Sequence, residues 1–245
     1  MAAAIVHLKR KCTVFDFKRS HFALKRDKVA GILKVGLPTA VQMVVVNLSY
    51  LTVTGMLNQF GVAVAAASGV GLKVNTFAGM PCWAVGQAVT AMAGQNMGAN
   101  QIERVRKTTV AGLRLNLIIT LGVVVLVQIF AGPIIMLFDP TNPEVTRDGI
   151  LYLRICCGIN SLIYAAMYTF DSFAIGAGSA NVAMVNALLD AVVVRLTVSW
   201  LLAFPLAMGF PGIYLGQALS PVLPAAVGLL YFRSKKWENR KLIQT

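Results

Sequence analysis

Six ionisable side chains sit inside long apolar stretches of this 245-residue sequence: Lys73, Arg114, Arg154, Asp171, Asp190 and Arg195. A charge at the centre of a bilayer costs about 2.5–3.5 kcal/mol on insertion scales, so each is a functional candidate. The carboxylates are the most informative. In a helical hairpin turning near Gly178, a rise of about 1.5 Å per residue sets Asp171 about 10 Å from the turn and Asp190 about 18 Å from it. The second depth is near a bilayer midplane, where coupling ions and substrates are bound in secondary transporters. A partly desolvated carboxylate there can exchange a proton or bind sodium. The competing reading is a structural ion pair with Lys73 or Arg195. Arg114 and Arg154 lie near the ends of their stretches and can snorkel to the interface.

Uncharged polar residues form a second set. Gln42, Asn47, Asn75, Gln87, Asn160 and Asn186 can hydrogen-bond a substrate, or fasten helices through contacts that average well under about 2 kcal/mol. Met43, Met80, Met92 and Met167, with Phe77, Tyr164 and Tyr168, suit a tolerant cavity because methionine adapts to varied apolar ligands. Facing lipid, the same residues are filler. Nothing suits covalent or metal chemistry. The two histidines, His7 and His21, share a basic N-terminal segment, and Cys12, Cys82, Cys156 and Cys157 lack metal-ligand spacing. A phosphate-cradling glycine loop of the Walker type is missing from the sequence. The expectation is a protein that is not an enzyme and carries no metal or cofactor.

The elements that must position these residues are membrane helices. Hydrophobic residues make up 57% of the chain and charged residues 13%, with a mean hydropathy of +0.71. Soluble domains carry about 25% charged residues, so a soluble enzyme is excluded. Six segments have the length of about 20 apolar residues that a spanning helix needs: 35–57, 68–94, 109–138, 149–176, 181–207 and 212–232. Basic residues outnumber acidic ones by 22 to 9, but they gather where spans end: from Lys9 to Lys34, at Arg104, Arg106 and Lys107, and from Arg233 to Lys241. This placement sets topology and argues against a nucleic-acid partner. Both termini are therefore expected in the cytoplasm, with the spans in the inner or plasma membrane. The predicted fold is an all-α membrane protein, a six-helix transmembrane bundle over 35–232, with a basic segment 1–34 and a basic tail 233–245. Pro38 is expected in the first turn of its span. Pro81, Pro205, Pro221 and Pro224 mark possible breaks that free backbone carbonyls.

Four motifs in sequence order then resemble one family. They are Gly36-Leu37-Pro38; Gly86-Gln87-Ala88 with Gly94-Gln95-Asn96-Met97-Gly98-Ala99, Glu103 and Arg104; Phe170-Asp171-Ser172 leading to Gly176-Ala177-Gly178; and Arg195. Together they cover residues 30–232 and resemble the multidrug and toxic compound extrusion (MATE) family. The resemblance implies one lobe, the C-terminal one, of a twelve-helix fold with two six-helix lobes around a substrate cavity. Residues 4–11 then read as the exit of a preceding lobe and 12–34 as an interlobe linker. The implied activity is Na+- or H+-coupled antiport of organic, often cationic, drugs or metabolites by alternating access. The implied partners are membrane lipid, a small organic substrate, and an N-terminal lobe or a second copy. Some members bind the cation with an acidic residue in the first helix of this lobe, where this chain has Gln42 and Asn47. They carry another in the fourth helix, where this chain has Tyr164 and Ala165; Asp171 stands where many relatives have glutamine. The candidate ion- and substrate-binding residues are therefore Asp190, Asp171, Asn47, Gln42, Gln87, Asn186, Tyr164 and Tyr168, with Lys73 and Arg195 as architectural charges. Two alternatives remain open: a non-transporting truncated or regulatory half-lobe, and a lipid-linked precursor flippase needing a cation-lined cavity.

Overall fold

The computed structural model describes residues 26–238, apart from the side chains of Asp27, Lys28 and Ile159. His7, Cys12, His21, segment 4–11, most of the expected linker and the last residues of the tail lie outside the described residues. Of the first unit, 1–34, only residues 26–34 are described, and they are helical.

Every regular element among the described residues is helical. The order is α1 (Arg26–Asn58), α2 (Val62–Gly98), α3 (Ile102–Ile129), α4 (Ala131–Phe138), α5 (Pro143–Tyr152), a π-helical segment (Leu153–Ile159) and α6 (Asn160–Gly176). Then come α7 (Ala180–Leu188), a second π-helical segment (Leu189–Leu196), α8 (Thr197–Ala203), α9 (Phe210–Leu219) and α10 (Val222–Arg233). Five helical stretches are long and apolar enough to cross a membrane, and the α5–α6 pair, bent by 40°, makes a sixth.

The breaks follow from local chemistry. Gly178 turns α6 into α7 at φ 73°, and Gly209 precedes α9 at φ 66°, both in the left-handed region that glycine enters without cost. Asn142 caps α5: its Oδ1 accepts the backbone N–H groups of Glu144 (3.0 Å) and Val145 (3.4 Å), with Pro143 in the first turn. In the preceding loop, Asp139 Oδ1 accepts from the hydroxyl and the N–H of Thr141, which holds that carboxyl below the usual carboxylate range.

Three sequence expectations change. The third span, expected over 109–138, is two helices broken at Phe130, because Pro133 has no N–H for the carbonyl of Ile129. Pro38 is not in a first turn but well inside α1, which begins at Arg26. The last span is interrupted at Ser220 and Pro221. Pro221 cannot bond the Gln217 carbonyl, which instead accepts the Asn160 amide at 2.6 Å.

Close packing rests on small residues, as expected where lipid removes the hydrophobic drive between helices. At Gly86 of α2 a Cβ would lie 2.3 Å from the Tyr168 ring, and at Gly176 it would lie 2.5 Å from the Thr90 carbonyl oxygen. Thr90 Oγ1 donates across this contact to the Ser172 carbonyl at 3.0 Å. One buried cluster gathers Ile135, Tyr152, Leu153, Ile213 and Tyr214. A second, at the opposite end, gathers Met97, Val105, Phe173 and Trp237. Helix α1 is anchored by Ser49, Val53 and Leu57, while Leu37, Met43, Val44 and Leu48 are more than half exposed.

Candidate functional site

A partly open cavity of about 680 Å³ is lined by the spans. Helix α1 contributes Gln42, Asn47 and Tyr50; α2 contributes Asn75, Cys82, Trp83 and Gln87; α6 contributes Tyr164, Tyr168 and Asp171. Asp190 reaches the wall from the second π segment. Seven of the eight candidate ion- and substrate-binding residues therefore meet here. Asn186 stands behind the wall, where its Nδ2 donates to Asp171 Oδ1 at 2.6 Å.

The two carboxylates have different surroundings. Asp190, 2% exposed, pairs with Arg195, also 2% exposed, at 2.6 Å. The pair lies within one helix, not between neighbours. Residues five apart on an α-helix point about 140° apart around its axis. The π segment, with its i→i+5 repeat, brings them onto one face. Arg195 also donates to Ser49 Oγ at 3.1 Å, and its guanidinium carbon lies 4.2 Å from the centroid of the Tyr50 ring. This cation–π contact fastens the second half of α1 to the bundle. Asp171, equally buried, has no cationic partner among the described residues.

Several polar atoms at this site are buried without a partner among the described residues. They include Asp190 Oδ1, Asn186 Oδ1 and Arg195 Nε. An unsatisfied buried acceptor costs about 1–3 kcal/mol, so such an atom in a folded protein calls for a bound water, ion or ligand. Asn186 and Asp190 are one helical turn apart, and Asp171 faces Asn186 across the α6–α7 hairpin.

Aromatic rings form another part of the wall. Tyr164 and Tyr168, one turn apart on α6, stack at 5.9 Å and 17°. Trp83 Nε1 donates to the Tyr164 hydroxyl at 3.3 Å. Asn47 spends its amide on the Met43 carbonyl at 2.7 Å. Apolar lining with a few convergent polar groups is the usual make-up of a small-molecule site.

Other expectations fall elsewhere. Phe77, Met80 and Met92 are 66%, 47% and 50% exposed on the outside of α2 and do not line the cavity, whereas Met43 and Met167 do. Lys73 is exposed and forms no ion pair among the described residues. Asn160 and Asn75 also line the cavity, where the Asn160 amide donates to the Gln217 carbonyl and Asn75 accepts from the Cys157 thiol at 3.2 Å. Sequence reasoning passed over Tyr50 and Trp83, although the spacing carried both. Tyr50 lies eight residues beyond Gln42 and Trp83 lies four before Gln87, which are same-face positions on a helix.

A bundle of membrane-spanning helices that closes on a mixed aromatic and acidic cavity is the architecture of a solute-transporter lobe. The chain belongs to the MatE family, whose family model matches residues 38–201. Among curated relatives it is 25% identical over 238 residues to “Probable multidrug resistance protein NorM” of Thermotoga maritima, a match covering 94% of this chain and 51% of that protein. It is 27% identical over 241 residues to “Probable multidrug resistance protein YpnP” of Bacillus subtilis, covering 96% of this chain and 51% of the relative. The chain thus spans about half the length of the curated relatives it matches. Its fold superimposes with a TM-score of 0.87 and 19% identity on a MATE crystallised with MaL6, covering 95% of this chain and 52% of that one. The same score, identity and coverage hold for a MOP superfamily transporter from Pyrococcus furiosus. The fold is that of one MATE lobe, and the family consists of transporters, not enzymes.

Proposed function

We propose that the chain acts as the C-terminal lobe of a MATE-type antiporter in the inner or plasma membrane, with both termini cytoplasmic. In this reading it exports organic cations together with an N-terminal lobe or a second copy of itself. The observation that carries the reading is the cavity wall, where Asp171 and Asp190 stand beside Tyr50, Trp83, Tyr164 and Tyr168. Aromatic faces and carboxylates both favour a cation, and desolvation strengthens the attraction to the rings to about 2 kcal/mol or more. Methionine at Met43 and Met167 suits substrates of varied shape.

Coupling is assigned to Asp171, Asn186 and Asp190. Sodium or a proton arriving at these oxygens neutralises the wall and weakens its hold on an organic cation. The two ligands then exclude one another, which is the thermodynamic requirement for antiport. Asp171 carries the larger part, because Asp190 already has Arg195. The flippase alternative draws little support from the cavity, whose lining among the described residues contains no lysine or arginine.

The test is energised ethidium efflux from cells making this chain alone, or together with an N-terminal lobe, beside Asp171→Asn and Asp190→Asn at equal expression. The expected result is efflux with the lobe supplied and loss of it in Asp171→Asn. Efflux that persists in both variants overturns the coupling assignment. Absence of efflux in both arms, with insertion confirmed, favours the half-lobe reading.

A further inference from the structure

An open recess of about 280 Å³ lies on the outer face of α3 and shares no lining residue with the cavity. It is lined by Arg106, Lys107, Val110, Ala111 and Arg114. Lys107, Ala111 and Arg114 follow one another at spacings of four and three, so they share a helix face. The same stripe continues through Ile118, Leu121 and Val125, which are 69%, 51% and 47% exposed. A surface of exposed branched hydrophobics on a spanning helix faces acyl chains. From Arg114 to Val125 the helix rises about 16 Å, close to half of a hydrocarbon core about 30 Å thick. The stripe thus has the length of one lipid leaflet, with cations at its polar end.

The cations differ in how they are compensated. Arg106 is held by Glu238, and Lys107 meets Glu103 at 3.6 Å in an exposed pair. Arg114 is exposed on the lipid stripe and makes no ion pair or hydrogen bond among the described residues. Trp237, fully buried beside Phe173, pins the segment that delivers Glu238 to Arg106. The residues that line the recess all belong to α3, and the C-terminal segment meets it only through the bond of Glu238 to Arg106.

We propose that Arg106, Lys107 and Arg114 form a headgroup site for an anionic phospholipid. Its phosphodiester bridges Lys107 and Arg114, and an acyl chain runs along Ile118, Leu121 and Val125. The charge is complementary and the guanidinium fork matches two phosphate oxygens. The apolar stripe specifies a lipid in preference to a free anion. Filling the site gives Arg114 a counter-charge at the depth where it needs one. A headgroup also competes with Glu238 for Arg106, so binding and the closure of the C-terminal segment oppose one another.

The test uses the full chain in phosphatidylcholine nanodiscs with graded phosphatidylglycerol, released and read by native mass spectrometry as lipid retained per protein. Wild type is expected to retain phosphatidylglycerol over phosphatidylcholine. Each basic residue near a membrane surface contributes about fivefold in affinity, so Lys107→Gln/Arg114→Gln is expected to weaken retention about 25-fold. Arg114→Leu is expected to insert at least as readily as wild type, and to lose about fivefold in retention. Arg154→Gln, which removes an exposed charge elsewhere, leaves retention unchanged. Glu238→Gln frees Arg106 and raises retention, whereas a purely structural tail would lower it or have no effect. Equal retention of the two lipids, wild-type retention in Arg114→Leu, or an equal loss in Arg154→Gln overturns the proposal. Displacement of the lipid by inorganic phosphate at millimolar concentration also overturns it, by identifying a free-anion site.

Discussion

The Asp190–Arg195 pair offers the sharpest test of how this lobe is held together. Both residues are 2% exposed, and the pair closes at 2.6 Å. Removing one partner of such a pair strands the other charge and costs about 3–5 kcal/mol. The two single variants should not cost the same. Arg195→Leu removes the only cation on Asp190 among the described residues, together with the bond to Ser49 and the contact with Tyr50. It is expected at the upper end, about 5 kcal/mol. Asp190→Asn leaves Arg195 with Ser49 and the Tyr50 ring, which retain about 2 kcal/mol in a desolvated setting, so about 3 kcal/mol is expected. Replacing both with apolar residues of similar size, Asp190→Leu/Arg195→Met, is expected to be nearly neutral. A fourth variant isolates the π register. Val194→Arg/Arg195→Val moves the cation to i+4, where an α-helix would place it beside Asp190 but the π segment does not. It is expected to be about as unstable as Arg195→Leu. The assay is unfolding in mixed micelles, followed by far-ultraviolet circular dichroism and tryptophan fluorescence. Single losses that add in the double variant would refute the pairing, and wild-type stability of the register variant would refute the role given to the π segment.

Three further outcomes are expected from the same preparation. Gly176→Val places a side chain where a Cβ already lies 2.5 Å from the Thr90 carbonyl oxygen, and backbone cannot yield cheaply. It should lower stability by at least the roughly 1–3 kcal/mol of ordinary overpacking, read as an earlier unfolding midpoint. Trp237→Ala empties the fully buried centre of the second cluster, costs about 3–5 kcal/mol, and should expose the C-terminal segment to limited proteolysis. Asp139, held below the usual carboxylate range by Thr141, adds stability that is fully present above its unfolded value of about 3.9 and lost as pH falls toward its lower folded value. Acid titration of Asp139→Asn should lack that part of the profile.

How much of this was legible in advance depends on which physical signal each feature leaves. A span leaves a long one, about 20 apolar residues bounded by charge, and the six-span bundle could be read from it. A break leaves one residue. The split at Phe130 turns on Pro133 and the missing donor for Ile129, within a stretch whose hydropathy never falters. A π segment has no established sequence signature of its own, and Leu189–Leu196 reads as ordinary helix until its hydrogen bonds are seen. An ion pair with Arg195 is among the readings of the sequence, but under α-helical spacing Asp190 and Arg195 stand on different faces, and only the π segment shows how the pair closes within one helix. Depth alone then pointed to Asp190 ahead of Asp171, since depth follows from rise per residue and needs no partner. Charge compensation is a property of neighbours, and it separates the two: among the described residues Asp190 has Arg195, while Asp171 has only the Asn186 amide. A carboxylate already balanced by a guanidinium gains less from a visiting cation than one balanced by an amide. The residue that sequence depth placed second is therefore the one on which the exchange of cation and substrate should turn.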